Sequence, residues 1–325
     1  MRLPIDGNAA CSSPKVEECI SVKIFYTDVF ELPLPPGHRF PMAKYRLLRQ
    51  RIEESDIRPH CHLIVPRAAS NEELMLVHTQ DYVTRVVSGQ LSQLEQRRIG
   101  FPWSEAMVER SRRSVGASID AGLAALQDGI GVNLAGGTHH AFAESGQGYC
   151  VFNDVCVAAR VLQRETPVHR VLIVDCDVHQ GNGTAAICQH DPSLFSFSMH
   201  CDKNFPFRKA NSDLDIALPE GTSDAKYLDA LERGLASVFR LFTPDICFYV
   251  SGADPFSDDR LGRLKLTKRG LAQRDSLVIE SMNHYRIPVV VTMAGGYAKQ
   301  IDDIVEIHFT TVSTALRVTK GLPSH

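Results

Sequence analysis

The most reactive cluster of side chains in this 325-residue sequence directly follows the apolar run 171–174. The stretch DCDVHQGNGT places Asp175, Asp177 and His179 on alternate residues and then adds glycines. A packed strand end has no structural need for three such groups. Carboxylates and imidazoles are common metal ligands, and a Zn²⁺ ion held by three protein ligands keeps a position open for water or substrate.

A third acidic residue suited to the same site follows another apolar run. Asp254 comes shortly after ICFYV (246–250), in the sequence SGAD. An isolated D-x-H motif is more often a loop aspartate beside a hydrogen-bonded histidine, but a carboxylate at a second strand end favours a metal. We therefore predict that Asp177, His179 and Asp254 bind Zn²⁺, which acidifies a bound water and polarises a carbonyl. Fe²⁺ can use the same ligands, because affinity order and metal availability compete.

Two adjacent histidines on a glycine-rich loop are suited to proton transfer beside such a metal. His139 and His140 follow GVNLA (131–135), and imidazole titrates close to neutral pH. Each ring needs a partner on its second nitrogen. Asp175 is a suitable partner for His139. Asn182 is a weaker candidate for His140, because its side chain is neutral.

Tyr297 follows two glycines, which allow the backbone to approach a site closely. A phenol there can donate a hydrogen bond to the oxyanion of a tetrahedral intermediate. A bare GGY sequence is more commonly a turn with a packing tyrosine, so the catalytic interpretation depends on the neighbouring motifs.

Short apolar runs alternate with longer helical patterns along the chain. This alternation predicts βαβ units and an α/β fold in which helices flank a mostly parallel central sheet. Functional sites in such sheets form beyond the carboxyl ends of the strands, where all the residues above occur. The predicted strands are 21–26, 131–135, 171–175, 194–199, 246–250 and 288–293, and the predicted helices are near 42–55, 71–88, 104–128 and 153–164.

No repeat, low-complexity tract or linker divides the sequence. We predict an irregular lead-in over residues 1–20 and a single catalytic domain over residues 21–325. His60-Cys61-His62 resembles a fragment of a metal site, but no further ligand is near it in the sequence. A surface loop is therefore predicted at these three residues.

The composition argues against several classes of protein. The 35 basic and 38 acidic residues give a formal net charge of −3, which offers no basis for nonspecific binding to nucleic acid or membranes. The nine cysteines form no C-x-x-C pair, which indicates reduced thiols rather than a disulfide framework. The N-terminus lacks the apolar segment of a signal peptide, and no run approaches the ~20 apolar residues of a membrane span. We expect a cytoplasmic protein with neither a nucleic-acid partner nor a membrane span.

Five motifs in this order resemble the zinc-dependent histone deacetylase family, which has the arginase–deacetylase fold. The resemblance covers roughly residues 22–318, and the motifs are GTHHA (137–141), GYCVFND (148–154), DCDVHQGNGT (175–184), SGADPFSDDRLG (251–262) and AGGY (294–297). The form D-x-D-V-H-Q-G-N-G and the FPF segment (205–207) are most similar to the bacterial and class IV-like branch.

The resemblance implies roles for most of these residues. It places Zn²⁺ on Asp177, His179 and Asp254, and it makes Tyr297 the transition-state donor. His139 and His140 become the proton-transfer pair, with Asp175 behind His139. A structural K⁺ ion, bound partly through carbonyl oxygens, is implied at Asp175, Asp177, His179, Ser198 and Met199. The expected walls of an acyl-lysine channel are Gly148, Tyr149, Phe205 and Phe207.

Two positions depart from the pattern of the family. Many relatives have a histidine at the position of Gln180, and some have an aspartate at the position of Asn182. A neutral partner should stabilise an imidazolium less than an aspartate does. The sequence therefore leaves open which of the two histidines is protonated.

The predicted function is metal-dependent removal of acetyl or longer acyl groups from lysine side chains of a peptide or protein. An acetylpolyamine or another small acylated amine is an alternative substrate for the same site. A binuclear manganese site of the arginase type would need a further acid at Gly181. A non-catalytic binding protein would be expected to lack Tyr297 or a metal ligand, and none is missing. Acyl length, physiological substrate and oligomeric state stay open.

Overall fold

One parallel sheet forms the centre of the protein in a computed structural model that describes residues 21–320. The predicted lead-in 1–20 lies outside the described residues. The strands are β1 (Val22–Phe25), β2 (Cys61–Ile64), β3 (Ile130–Asn133), β4 (Val171–Asp175), β5 (Leu194–Cys201), β6 (Leu214–Leu218), β7 (Ile246–Ser251) and β8 (Val289–Met293). Their order is β2-β1-β3-β8-β7-β4-β5-β6, and every neighbouring pair is parallel. The predicted α/β fold with a parallel central sheet is confirmed.

Helices cover both faces of this sheet. They are α1 (Ala43–Glu53), α2 (Asn71–Leu74), α3 (Gln80–Val87), α4 (Gln93–Ile99), α5 (Glu105–Asp128), α6 (Asp154–Glu165), α7 (Asn182–Cys188), α8 (Asp224–Leu241), α9 (Lys268–His284) and α10 (Ile301–Lys320). Helix α5 packs against α6, and α10 packs against both α1 and α9. Over the described residues, no helix is both long enough and apolar enough to cross a membrane.

The central strands are apolar throughout because both faces of the sheet are buried. In β4, Leu172 and Val174 belong to the hydrophobic core that includes residues of α1, α8, α9 and α10. Val171 and Ile173 belong to the second core, which includes residues of α2 to α6. With water excluded from both faces, the charged residues of this segment are confined to the carboxyl end of the strand.

Two strands at the edges of the sheet were not predicted. Strand β2 pairs with β1, so that Cys61 lies opposite Val22 and His62 lies opposite Lys23. The predicted surface loop at His60-Cys61-His62 is therefore wrong. Cys61 is buried in the core while His62 is exposed, and four residues with this mixed pattern carry too weak a strand signal. Strand β6 was missed for the same reason, since its residues are partly exposed.

The predicted helices agree with the structure except at 71–88, which forms two helices. The Thr79 hydroxyl accepts a hydrogen bond from the Tyr82 amide, and the Thr79 amide donates to the Ala143 carbonyl. Thr79 is thus an N-cap that begins α3 after α2 has ended. Helices α4 and α7 to α10 had not been predicted.

A buried arginine in α9 joins the ends of two central strands. The Arg274 guanidinium donates to the Gly252 carbonyl at 2.5 Å and to the Cys176 carbonyl at 3.3 Å. It also forms an ion pair with Asp275 at 2.7 Å, and neither side chain is exposed to solvent. Asp275 in turn accepts hydrogen bonds from two buried hydroxyls, those of Tyr249 and Thr311.

Replacement of this arginine should destabilise the fold strongly. In Arg274→Met, the Asp275 carboxylate stays buried without its cation, so we expect the free energy of unfolding to fall by about 3–5 kcal/mol. The double variant Arg274→Met/Asp275→Asn removes the unpaired charge and should recover part of that loss. Urea denaturation followed by circular dichroism measures both. A single variant within ~1 kcal/mol of wild type would contradict this role.

A buried histidine between α2 and α3 is hydrogen-bonded to the long loop between β3 and α6. One ring nitrogen of His78, Nδ1, lies 3.0 Å from the Phe142 carbonyl, and the other, Nε2, accepts from the Asn153 amide at 3.0 Å. This pattern requires the neutral ring. Burial lowers the pKa of His78 from 6.5 to about 4, although the carbonyls of Ala143 and Phe142 oppose the shift.

The stability of the protein should therefore decrease in acid. A folded-state pKa below the unfolded value means that the folded state binds fewer protons, so stability is lost as pH falls from about 6.5 to about 4. The difference in pKa corresponds to about 3 kcal/mol from His78 alone. We expect the unfolding free energy of His78→Asn to depend less steeply on pH than that of wild type. Equal slopes between pH 6.5 and 4.5 in urea titrations would show that His78 does not contribute.

Candidate active site

The loops that follow four central strands meet at one edge of the sheet. Strands β3, β8, β7 and β4 are consecutive neighbours, and all of them are parallel. Their carboxyl ends are therefore adjacent, although the strands are far apart in sequence. The loops carry the GGTHH, AGGY, SGAD and DCDVH sequences, so the structure brings together the segments that contain the predicted site residues.

Asp177, His179 and Asp254 form a group of side chains that could hold a metal ion. One ligand atom from each of these buried residues lies within 4.8 Å of the others. His179 Nδ1 lies 3.0 Å from Asp177 Oδ1 and 3.3 Å from Asp254 Oδ2. One imidazole nitrogen and two carboxylate oxygens thus converge on a common point, and the group could bind a metal ion.

The chemistry of the group fits a divalent cation. Asp254 is fully buried, yet its Oδ2 atom accepts no hydrogen bond. Burial, together with the negative charge of Asp177, raises the pKa of Asp254 to about 7, even though the adjacent His179 opposes the shift. A cation between the two carboxylates would relieve their repulsion and satisfy the free oxygen.

A glycine allows the backbone to approach these carboxylates. The Gly295 amide donates to Asp177 Oδ2 at 2.8 Å. A Cβ atom at this position would lie 1.9 Å from Asp254 Oδ2 and 2.6 Å from Asp177 Oδ2, which no side chain tolerates. Glycine is therefore required at position 295 for the backbone to approach these two carboxylates.

The two adjacent histidines have the partners that were expected for them. His139 Nδ1 lies 2.6 Å from Asp175 Oδ2, and His140 Nδ1 lies 2.8 Å from Asn182 Oδ1. Their ring centroids are 4.1 Å apart. All four side chains are buried. Asn182 is the first residue of α7, so the start of that helix positions the partner of His140.

The charges around the two rings differ. Burial lowers the pKa of His139, but the charges of Asp175 and Asp177 outweigh it and raise the value to about 9. Burial and the neighbouring charges of His139 and His179 lower the pKa of His140 well below 6.5. The local electrostatics therefore place a proton on His139 before His140.

Tyr297 lies at the base of a pocket that leads to the surface. Its backbone amide donates to Asp259 Oδ2 at 2.6 Å, which fixes the residue after the two glycines. The pocket has a volume of about 470 Å³, and Tyr297 lines it together with His140 and His179. Asp259 was missed in the sequence analysis because its role is to bind backbone amides, which leaves no characteristic spacing.

The expected channel residues line the same pocket. Gly148, Tyr149, Phe205 and Phe207 all contribute to its wall. The Phe205 ring lies 4.9 Å from the His140 ring, whereas Phe207 is 87% exposed and lies at the mouth. The pocket therefore has an aromatic wall that extends from the histidine pair to solvent.

The residues expected around K⁺ lie where the carboxyl end of β4 meets the middle of β5. Asp175 is opposite Ser198 in the register of the two strands, and Met199 follows in β5. Asp177 and His179 continue the chain beyond β4. The five residues are thus close in the fold, and a K⁺ ion between them stays a prediction.

Two buried cations near the site were missed in the sequence analysis. Lys44 Nζ donates to the Ala294 carbonyl at 3.0 Å and lies 5.7 Å from the centroid of the Tyr297 ring. Arg110 packs on Tyr45, and its Nε and one terminal nitrogen are buried without hydrogen-bond partners. Both line an inner cavity of about 60 Å³ with Asp177 and Asp254. Helical periodicity places such residues on a buried face but does not indicate what they approach.

Comparison with known proteins gives related sequences over most of the chain. The family model of the histone deacetylase domain matches residues 38–312. An uncharacterised protein of Picosynechococcus sp. is 44% identical over 285 residues, covering 88% of this chain and 95% of that protein. Histone deacetylase 2 of Arabidopsis thaliana is 26% identical, covering 86% of this chain and 75% of its own. The acetoin utilization protein AcuC of Staphylococcus aureus is 28% identical, covering 80% of this chain and 72% of that protein.

Solved structures show the same architecture. A crystal structure of an HDAC homologue complexed with SAHA has a TM-score of 0.79 and 25% identity, covering 94% of this chain and 85% of that chain. The HDAC homologue from Aquifex aeolicus has a TM-score of 0.79 at 24% identity, with the same coverage. This chain is a hydrolase that acts on amide bonds, and it belongs to the histone deacetylase family.

Proposed function

We propose that this protein removes an acyl group from the side-chain amide of lysine in a peptide or protein. The observation that carries the proposal is the base of the 470 Å³ pocket, where His140, His179 and Tyr297 meet. The pocket has an aromatic wall and leads to the group formed by Asp177, His179 and Asp254. This shape suits a long, thin substrate side chain. The lysine chain would lie along Tyr149 and Phe205, with its amide at the base.

The proposed cofactor is Zn²⁺ held by Asp177, His179 and Asp254. When bound, it supplies Lewis acidity that polarises the amide carbonyl and acidifies water. The ligand atoms and the free Asp254 oxygen support this assignment. We also propose a structural K⁺ ion where the carboxyl end of β4 lies beside Ser198 and Met199 of β5, which would offset part of the carboxylate charge there.

The proton transfers are assigned to the histidine pair. His140 lines the pocket and takes the proton of the attacking water, and Asn182 orients its ring. His139 lines the inner cavity behind it, where Asp175 stabilises its charged form. The pair then returns a proton to the nitrogen of the departing lysine amine. The Tyr297 hydroxyl donates a hydrogen bond to the carbonyl oxygen as negative charge develops there.

The metal assignment predicts the behaviour of one variant. Asp177→Ala removes a ligand, so the purified protein should hold far less zinc than wild type, measured by inductively coupled plasma mass spectrometry. The matched control is Asp258→Ala, because Asp258 is 60% exposed and its carboxylate lies 3.7 Å from Lys299. Wild-type zinc content in Asp177→Ala would refute the ligand assignment.

The tyrosine assignment predicts a loss of turnover without loss of metal. Tyr297→Phe removes the donor to the oxyanion, so kcat should fall by roughly 10²–10³ while zinc content stays unchanged. The control is Tyr285→Phe, at a 54% exposed tyrosine at the end of α9. Suitable substrates are lysine peptides that carry acetyl through myristoyl groups, with acetylputrescine in parallel. Hydrolysis of acetylputrescine alone would show that the substrate is a small acylated amine rather than a peptide.

A further inference from the structure

We propose that the mouth of the pocket selects acyl-lysine residues flanked by acidic side chains. The inference rests on the proposed lysine deacylase function and names its substrate class. It concerns four basic residues that line the pocket, which we call the basic rim: Arg97, Arg98, Lys203 and Arg263.

The basic rim surrounds the mouth from separate parts of the fold. Arg97 and Arg98 lie in the last turn of α4. Lys203 lies in the loop after β5, and Arg263 lies in the segment between β7 and α9. All four contribute to the pocket that has His140 and Tyr297 at its base, and none of its lining residues in the described chain is acidic. A substrate that enters the pocket therefore passes positive charge contributed by several segments.

These charges are available to a ligand. Arg97, Arg98 and Lys203 are exposed, and none forms an ion pair within the part of the chain that the structure describes. Arg263 lies 3.4 Å from Glu220, with both side chains at least half exposed, so solvent screens this pair. The nearby Lys209 behaves differently, since its ammonium donates to the carbonyls of its own loop at 2.5 and 2.6 Å.

The backbone beneath the basic rim is fixed by hydrogen bonds. The Arg98 carbonyl accepts from the Gly148 amide at 2.9 Å, which ties the end of α4 to the channel wall. On the opposite side, the Arg263 amide donates to the Asn204 side chain at 3.0 Å, which in turn donates to the Leu261 carbonyl at 2.6 Å. The cationic groups thus extend into water from a constrained frame.

The basic rim is not a consequence of the composition of the protein, because the whole chain has a formal net charge of −3. A cleft lined by one sign of charge attracts ligands of the opposite sign and repels those of the same sign. Aspartate or glutamate beside the acyl-lysine would approach these cations, whereas an acylated polyamine or a lysine-rich tail would be repelled. The charge of the mouth therefore favours acidic peptides.

The test compares three acetyl-lysine peptides that differ only in two flanking residues on each side, which are Asp, Asn or Lys. At about 20 mM salt, kcat/KM should decrease in the order Asp, Asn, Lys, with a ratio of about tenfold between the extremes. The ratio should shrink at ~0.5 M salt, because the exposed charges are then screened. Equal kcat/KM for the Asp and Lys peptides at low salt, with active enzyme, would overturn the inference and leave the deacylase function intact.

Two double variants test whether the basic rim causes the preference for acidic flanking residues. Arg97→Gln/Arg263→Gln should reduce the ratio between the Asp and Lys peptides to about twofold at the same salt, since half of the basic rim is removed. Arg233→Gln/Arg240→Gln changes the net charge equally on α8, away from the pocket, and should keep the full ratio. An equal effect of both pairs would overturn the role of the basic rim. If zinc-loaded protein cleaves none of the peptides, the proposed function fails together with this inference.

Discussion

Asp177 and Asp254 are buried side by side, and the repulsion between their carboxylates is the constraint that the surrounding structure has to satisfy. The backbone supplies donors to both, from the Gly295 amide to Asp177 and from the Val178 amide to Asp254. The Arg274 guanidinium donates to the carbonyls of Cys176 and Gly252, which directly follow β4 and β7, and so fixes the ends of these two strands. The buried carboxylates thus lie at the carboxyl ends of the central strands, where hydrogen-bond donors and cations are concentrated. This position is suitable for a metal ion and an amide substrate.

Much of the site could be predicted because the geometry of a parallel sheet is general. The carboxyl ends of all strands in a parallel sheet lie on the same side, so Asp177, His179 and Asp254 could be grouped without knowledge of the coordinates. The adjacency of β3, β8, β7 and β4 could not be deduced, because neighbouring strands are distant in sequence. Arg274 and Lys44 were missed for a different reason. Both side chains donate to backbone carbonyls, and because every residue has a carbonyl, such a contact leaves no pattern in the sequence.

The fold was predictable where both sides of a strand are buried. Strand β4 is apolar at each position before Asp175, and a short unbroken apolar run is typical of a strand covered on both faces. The edge strands β2 and β6 are only partly buried, and exposed or half-buried residues occupy most of their four or five positions. The division of 71–88 into two helices depends on Thr79, whose amide donates to a carbonyl 64 residues away in sequence, at Ala143.

The channel wall and the end of α4 share one piece of backbone. Gly148 and Tyr149 have φ angles of 56° and 65°, and for tyrosine this left-handed conformation costs roughly 1–2 kcal/mol. Their amides donate to the carbonyls of Arg98 and Ile99, which hold the turn in place. In the proposed deacylase, the width of the pocket and the charge at its mouth therefore depend on the same backbone. A substitution that moved the end of α4 would shift Gly148 and Tyr149 with it, so it would change the room for the acyl chain and the preference for flanking residues together.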